Sequence, residues 1–182
     1  MRSFLFLRHG ETDWNVVHRM QGQIQDIPLN QTGHRQAAAA AALLVGHAFD
    51  LIVSSTLDRA ATTARIIAEQ KGLPLVLDKR LIERGYGVAE GLTYKELGAT
   101  NLTAFFSHNP EGAETKAELT DRAFTATFDL ISRHEKQRLL LVTHAAWLRA
   151  LVYRLTGIDR SFPNATPFLA YEETEGWQIK PL

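Results

Sequence analysis

The sequence predicts an α/β fold: three layers, α/β/α, around a mostly parallel mixed sheet with helices on both faces. Three observations carry this. Short apolar runs, "SFLFL", "DLIVSS", "LPLVLD" and "RLLLVTH", read as strands buried on both faces. Segments with helical character alternate with them, the order that builds a parallel sheet with helices on either side. Polar residues follow three of these runs directly: Arg8-His9, Ser54-Ser55 and Thr143-His144. Ligands in open α/β sheets bind beyond the carboxyl ends of the strands, so these residues are expected to converge.

Taken in order, "SFLFL" gives the first strand. Residues 9–31 read as a long polar loop broken by Gly10, Gly22 and Pro28, and loops of that length are usually functional or disordered. "GHRQAAAAAALLV" is a helix because alanine is the best helix former, and Thr32 is its expected N-cap. "DLIVSS" is the second strand. "LDRAATTARIIAEQKG" is a helix with Leu57, Ala60, Ala64 and Ile67 on one face, stopped by Gly72. "LPLVLD" is the third strand, and residues 81–98 are glycine-punctuated and irregular. "KAELTDRAFTATFDLISRHEK" is an amphipathic helix with Leu119, Ala123, Phe124, Phe128 and Ile131 as its apolar positions. "RLLLVTH" and "AAWLRALVYRLTG" give the fourth strand and a helix closed by Gly157. "FLAYEE" and "WQIK" form a terminal strand pair around Thr174–Gly176.

Composition bounds the function. The 182 residues are expected to form one domain, 1–182. Twenty basic residues balance twenty acidic ones, so there is no general attraction to nucleic acid or an anionic membrane. Anion binding has to come from a few converging side chains. No cysteine is present, which excludes disulfides and Cys-ligated metals. The apolar stretch near the start is only four residues, too short for a signal-peptide core or a membrane span. A cytoplasmic location is expected, and a homodimer is compatible with the chain.

The strongest chemical signal is a pair of histidines, His9 and His144, each at the end of an apolar strand. A locally satisfied loop histidine would explain His9 alone; the pairing favours a site. A zinc site is the competing reading, but it needs three or four ligands, and the chain has neither Cys nor a His-x-x-x-His pair on a helix. The expectation is therefore no metal and no cofactor. Arg8 and Arg59 carry permanent charge on planar donor forks suited to phosphate oxygens. Arg59 falls in the first turn of its helix, where a cation opposes the helix dipole unless an anion lies close. Gly10 permits close backbone approach and is expected to expose amide donors.

"LRHGET" with Asn15, "QG" at 21–22, "PL" at 28–29, "SSTLDRAATTA", "LIERGYGVAEG", "EGAET" and "LVTHAAWLRAL" resemble, in order over most of residues 3–155, the histidine phosphatase superfamily. That superfamily includes the cofactor-dependent phosphoglycerate mutases. The resemblance implies that His9 is the nucleophile, forming phosphohistidine. It implies that Arg8, Arg59 and His144 grip the phosphoryl oxygens, with Asn15, Gln21, Gly22 and Ala145 assisting in binding. Glu83 would protonate the leaving oxygen and contact the substrate. Ala145 departs from the family's usual glycine, and "GAET" from the commoner "GGES"; Glu114 is retained, and it and Glu90 are the next carboxylates after Glu83 for the acid role.

The chemistry is consistent with this. A neutral imidazole attacks an anionic phosphomonoester without charge repulsion, fixed cations stabilise charge spread over three oxygens, and a carboxylic acid protonates the departing alkoxide. Phosphatase and mutase share the intermediate and differ in the acceptor. Only 61 positions separate Glu83 from His144, which leaves little room for the mutases' inserted segment. Tyr94 stands where mutases resemble one another in a lysine, and Glu90 is the phosphatase-like choice. Arg84 and Tyr86 are shared with mutases. The expected function is hydrolysis of a small-molecule phosphomonoester. The alternatives are a phosphoglycerate mutase and a non-catalytic phosphate-binding protein on the same scaffold. Trp14, Met20, Tyr86, Tyr94, Phe105 and Phe106 are candidates for lining the substrate pocket, with core packing preferred for the two phenylalanines. His18, His34, His47, His108 and His134 are expected to be solvated or structural.

Overall fold

The structure, a computed structural model, describes residues 2–98, 109–135 and 137–182. Among these, six strands form one sheet in the order β3-β2-β4-β1-β5-β6. β1 (Ser3–Arg8), β2 (Leu51–Ser54), β3 (Leu75–Leu77) and β4 (Leu139–Thr143) pair in parallel. β5 (Phe168–Glu173) is antiparallel to β1, and β6 (Gly176–Pro181) to β5. The mixed, mostly parallel sheet is the one expected.

The apolar runs of β1, β2 and β4 are buried because both faces are covered, whereas β3, expected to be buried, lies at the sheet edge and exposes Val76 and Leu77. Phe4 and Phe6 of β1, Leu51 and Val53 of β2, and Leu139 and Leu141 of β4 pack on one side with α4 (Lys116–Arg133) and α5 (Ala145–Thr156). The alternate residues Leu5, Leu7, Ile52, Leu140 and Val142 pack on the other with α2 (Gln31–Leu43) and α3 (Asp58–Lys71). Period-2 alternation splits one apolar run between two cores. The two cores are filled differently. Ala40, Ala41, Ala60, Ala64 and Ala68 dominate the helical contribution to one. The other is aromatic: Phe6 stacks on Phe168 at 5.5 Å between centroids and meets Phe162 edge-on at 5.4 Å.

Three further local expectations are corrected. The 9–31 segment is not all irregular: α1 (Asp13–Val16) is capped by Thr12, whose side chain accepts from the Asn15 N–H while the Asn15 side chain accepts from the Thr12 N–H. That is the capping-box exchange with Asn in the usual Glu position. The cap of α2 is Asn30, which accepts from the Gly33 N–H at 2.8 Å; Thr32 lies inside the helix. On α4 the buried positions are Leu119, Ala123, Ala126, Thr127 and Leu130, whereas Phe124, Phe128 and Ile131 are half-buried. Phe128 instead reaches Trp177 of β6 edge-on at 5.8 Å. Gly72 and Gly157 end α3 and α5 in the left-handed region, as expected for these stops.

Register places the functional ends side by side. Arg8 pairs with Thr143 and Ser54 with Val142, so His9, His144 and Ser55 leave the sheet at neighbouring points. Among the described residues no helix is long and apolar enough to cross a membrane.

Candidate active site

A cavity of about 100 Å³ opens over the C-terminal ends of β1 and β4. Arg8, His9 and Arg59 line it with Asn15, Gln21 and Gly22 from the loop after β1; Glu83 and Tyr86 close it from the opposite side. His144 sits behind His9, with ring centroids 5.2 Å apart, and is fully buried. Neither His144 nor Ala145 is among the cavity-lining residues. A larger hollow, about 210 Å³, lies at the opposite ends of β1 and β4. Arg138, which lines it, is tied to Asp50, so no set of unsatisfied groups converges there.

His9 is held on three sides. Its N–H donates to Thr143 O at 2.9 Å, and its carbonyl accepts from Asn164 Nδ2 at 2.9 Å. Its ring Nδ1 lies 2.7 Å from Gly10 O. A carbonyl can only accept, so Nδ1 carries the proton and Nε2 keeps its lone pair. Burial pushes the imidazole well below its ordinary pKa, and the Arg8 and Arg59 charges push it further. The ring is therefore neutral at pH 7 and presents a nucleophilic nitrogen. His144 is held neutral in the same way, first by burial and then by Arg59. Ser55 Oγ accepts from the Leu57 N–H at 3.2 Å and lies 2.7 Å from His144 Nε2. If the Ser55 hydroxyl gives its proton to Nε2, the ring proton stays on Nδ1.

The cations are fixed by carbonyls. Fully buried Arg59 donates to Ile24 O at 3.0 Å and Gly22 O at 2.7 Å, and Arg8 reaches Phe162 O at 3.4 Å. Burial lowers both guanidinium pKa values, that of Arg59 to about 10, so both stay charged at pH 7. Among the described residues, Arg8 Nε, Arg59 Nε and His144 Nδ1 are buried nitrogens without a hydrogen-bond partner. Buried guanidinium donors without a partner are costly, and an anion in the cavity is the kind of group that satisfies them. Gln21 Oε1 is a fourth unpartnered atom. Asn15 uses Oδ1 on Thr12, at 3.0 Å to its N–H, which leaves the amide nitrogen end for the cavity.

Glu83 is buried at the N-terminus of α5. Oε1 accepts from the Arg84 and Trp147 N–H groups at 2.9 and 3.1 Å, and Oε2 from the Ala146 N–H at 3.2 Å. Backbone N–H groups and the helix dipole suit an acidic side chain there. Glu90 Oε1 bridges two loops by accepting from the Gln23 and Tyr86 N–H groups, both at 2.9 Å. A Cβ on Gly22, whose φ is +49°, would lie 2.0 Å from that same oxygen, so glycine is required there.

The sequence expectations fare unevenly. Arg8, His9, Asn15, Gln21, Gly22, Arg59 and Glu83 are brought together. Gly10 does not expose an amide donor; its N–H is spent on Thr63 Oγ1 at 3.0 Å, and its missing side chain admits the Gly33 backbone. Met20 and Tyr86 line the cavity, whereas Trp14 and Tyr94 do not. Phe105, Phe106 and His108 lie outside the described residues. His18, His34 and His47 are exposed, and His134 is half-buried beside Gln137. Sequence reasoning missed Arg19, which lines the cavity with its guanidinium over Trp14 at 5.7 Å. Its adjacency to the flagged Gln21-Gly22 loop was the available signal. It also missed Thr63, Asn164 and Arg122, which act from outside the cavity.

The family model for the histidine phosphatase superfamily, branch 1, matches residues 4–173. The chain is 37% identical over 159 residues to an uncharacterized phosphatase, PhoE, of Bacillus subtilis (strain 168), covering 87% of this chain and 80% of that one. It is 39% identical to a metal-independent phosphoserine phosphatase of Arabidopsis thaliana, covering 96% and 78%. A mycobacterial glucosyl-3-phosphoglycerate phosphatase, solved as a complex with VO3, superposes with a TM-score of 0.87 at 29% identity, covering 100% and 97%. With the match running from β1 to β5 and the two strand-end histidines packed together beside one cationic cavity, the chain belongs to the histidine phosphatase superfamily.

Proposed function

We propose that this protein hydrolyses small-molecule phosphomonoesters through a phosphohistidine on His9. The observation that carries the reading is the set of buried, unpartnered donors, Arg8 Nε and Arg59 Nε, in the cavity that His9 lines. Neutral His9 Nε2 attacks phosphorus as the P–O ester bond breaks, and the electron pair leaves on the substrate oxygen. Arg8, Arg59 and His144 hold the three phosphoryl oxygens as charge spreads over them. Glu83 gives its proton to the departing oxygen. Oε1 takes two N–H groups and Oε2 only one, so Oε2 has the lone pair to carry that proton. Water then attacks the phosphohistidine, Glu83 takes the water's proton, and inorganic phosphate leaves.

The relatives support small phosphorylated substrates: their names include phosphatases of phosphoserine and glucosyl-3-phosphoglycerate, and also a probable phosphoglycerate mutase at 36% identity. The test is a panel of phosphorylated metabolites with product analysis. Free phosphate in step with substrate loss is the expected result. Isomerised ester without phosphate release would replace hydrolysis by mutase chemistry, and no turnover of any ester would leave a binding protein.

A further inference from the structure

The general acid of the proposed mechanism stands on a segment without regular secondary structure. After the single turn at Lys79–Leu81, residues 82–85 belong to neither helix nor strand. Their backbone carbonyls need partners that no ladder supplies. One side chain supplies two of them, and one more for the carbonyl of Arg80 just before. Arg122 of α4 donates Nη1 to Arg80 O at 2.9 Å and to Ile82 O at 2.8 Å, and Nη2 to Glu83 O at 3.1 Å. The rest of its fork grips Glu114: Nε to Oε1 at 2.8 Å and Nη2 to Oε2 at 2.7 Å. A guanidinium has five N–H donors, and these contacts use all five. Glu114 in turn accepts from the Gly85 N–H at 3.3 Å. Neither Arg122 nor Glu114 lines the cavity.

We infer that Arg122 and Glu114 are positioning residues for Glu83, a pair that fixes the backbone on both sides of the acid so that its carboxyl meets the leaving oxygen. This rests on the assignment of Glu83 as the acid. It also gives Glu114 a role. Fork geometry matters: a lysine keeps the charge but cannot hold three carbonyls and a carboxylate in one plane. Proton transfer is sensitive to sub-ångström placement, whereas gross phosphate binding through Arg8 and Arg59 is not.

The experiment measures turnover of an alkyl phosphate and of nitrophenyl phosphate, together with inhibition by inorganic phosphate. It uses wild type, Arg122→Lys, Glu114→Gln, Glu83→Gln and the double variant Glu83→Gln/Arg122→Lys. Arg122→Lys and Glu114→Gln are each expected to lose about tenfold or more on the alkyl ester. They should lose several-fold less on the aryl ester, whose phenolate leaves without a proton. Inhibition by phosphate should stay within about twofold. In the Glu83→Gln background, Arg122→Lys should cost little more, because the group it positions is already disabled. Glu114→Gln keeps the inference testable if Arg122→Lys does not fold. Equal losses on both esters, or full additivity in the double variant, would make the pair a mere structural support and overturn the inference. If Glu83→Gln itself shows no preference for the aryl ester, the acid assignment fails and the inference falls with it.

Discussion

Two walls of one cavity are held in place by different means. Arg8, His9 and His144 stand at the ends of β1 and β4, and the parallel ladder between those strands fixes their spacing. Glu83 faces them from an irregular segment whose carbonyls are taken by side chains: Thr143 on Leu81, Trp147 on Arg80, Gln23 on Glu83 and Arg122 on three of the four from residues 80–83. A strand end costs nothing extra to aim, because the sheet exists for burial anyway. The proposed acid, standing on a loop, has to be aimed by a dedicated network. The nucleophile and anion-binding wall should therefore tolerate little change in the groups themselves, and the acid wall little change in groups several residues away.

Breaking the strand-end wall at its centre should have the largest effect. His9→Ala is expected to lose about 10⁴-fold or more of turnover on every ester, since a covalent nucleophile works as a unit with its partners. The same variant should still bind inorganic phosphate through Arg8 and Arg59. Quenched wild-type reactions analysed by mass spectrometry should carry a phosphoryl adduct that the variant lacks. An adduct persisting in His9→Ala would move the nucleophile elsewhere.

On the acid wall, Glu83→Gln should cost about 10²–10⁴-fold on an alkyl phosphate. It should cost much less on nitrophenyl phosphate, as long as phosphohistidine formation limits the rate. Uniform losses would point to a role in positioning or in activating the later water. Glu90 and Glu114, the other carboxylates suggested by the sequence, are poor replacements. Each is committed to backbone N–H groups or to Arg122, and neither lines the cavity.

The pH response sharpens the contrast. Burial first, then Arg8 and Arg59, hold His9 well below its ordinary pKa, so the proposed nucleophile stays neutral as pH falls through about 6.5. Arg8→Met removes one of the charges that oppose the imidazolium. It should shift the acid limb of kcat/KM to higher pH on the same substrate, with the burial contribution remaining. An unmoved limb would mean that a group other than His9 sets it.

The smallest effect is on stability. His9 and His144 have depressed pKa values when folded, so below about pH 6.5 the unfolded chain binds protons that the folded chain does not. Stability should be fully present above that pH and fall below it, by up to about 1.4 kcal/mol per pH unit for each histidine. Urea midpoints at pH 7 and pH 5 should show the fall, and His9→Ala should make it shallower.

The sequence alone determined the layers, the mostly parallel sheet and the candidate residues of the proposed anion-binding wall. Apolar runs too short for helices, each followed directly by Arg-His, Ser-Ser or Thr-His, suit strands of a parallel sheet ending at one edge, and in the structure they do. Chain proximity thus carried the information for Arg8 and His9. It also marked Glu83 and Glu114 as members of recognisable motifs. The sequence did not show that Asn30 rather than Thr32 caps α2, because Asn30 also ties to Glu11 across the loop, at 2.9 Å from Asn30 Nδ2 to Glu11 Oε1. Nor did it show that Gly10 serves close packing rather than amide donation, since the Gly33 backbone that fills the space is 23 residues away. Arg122 was the least legible: on a helix face it reads as one more solvated cation. Only the tertiary structure, by laying α4 against the 80–85 segment, gave its five donors their acceptors. Those contacts join residues 39 to 42 positions apart along the chain to the backbone beneath Glu83, and no local periodicity encodes them.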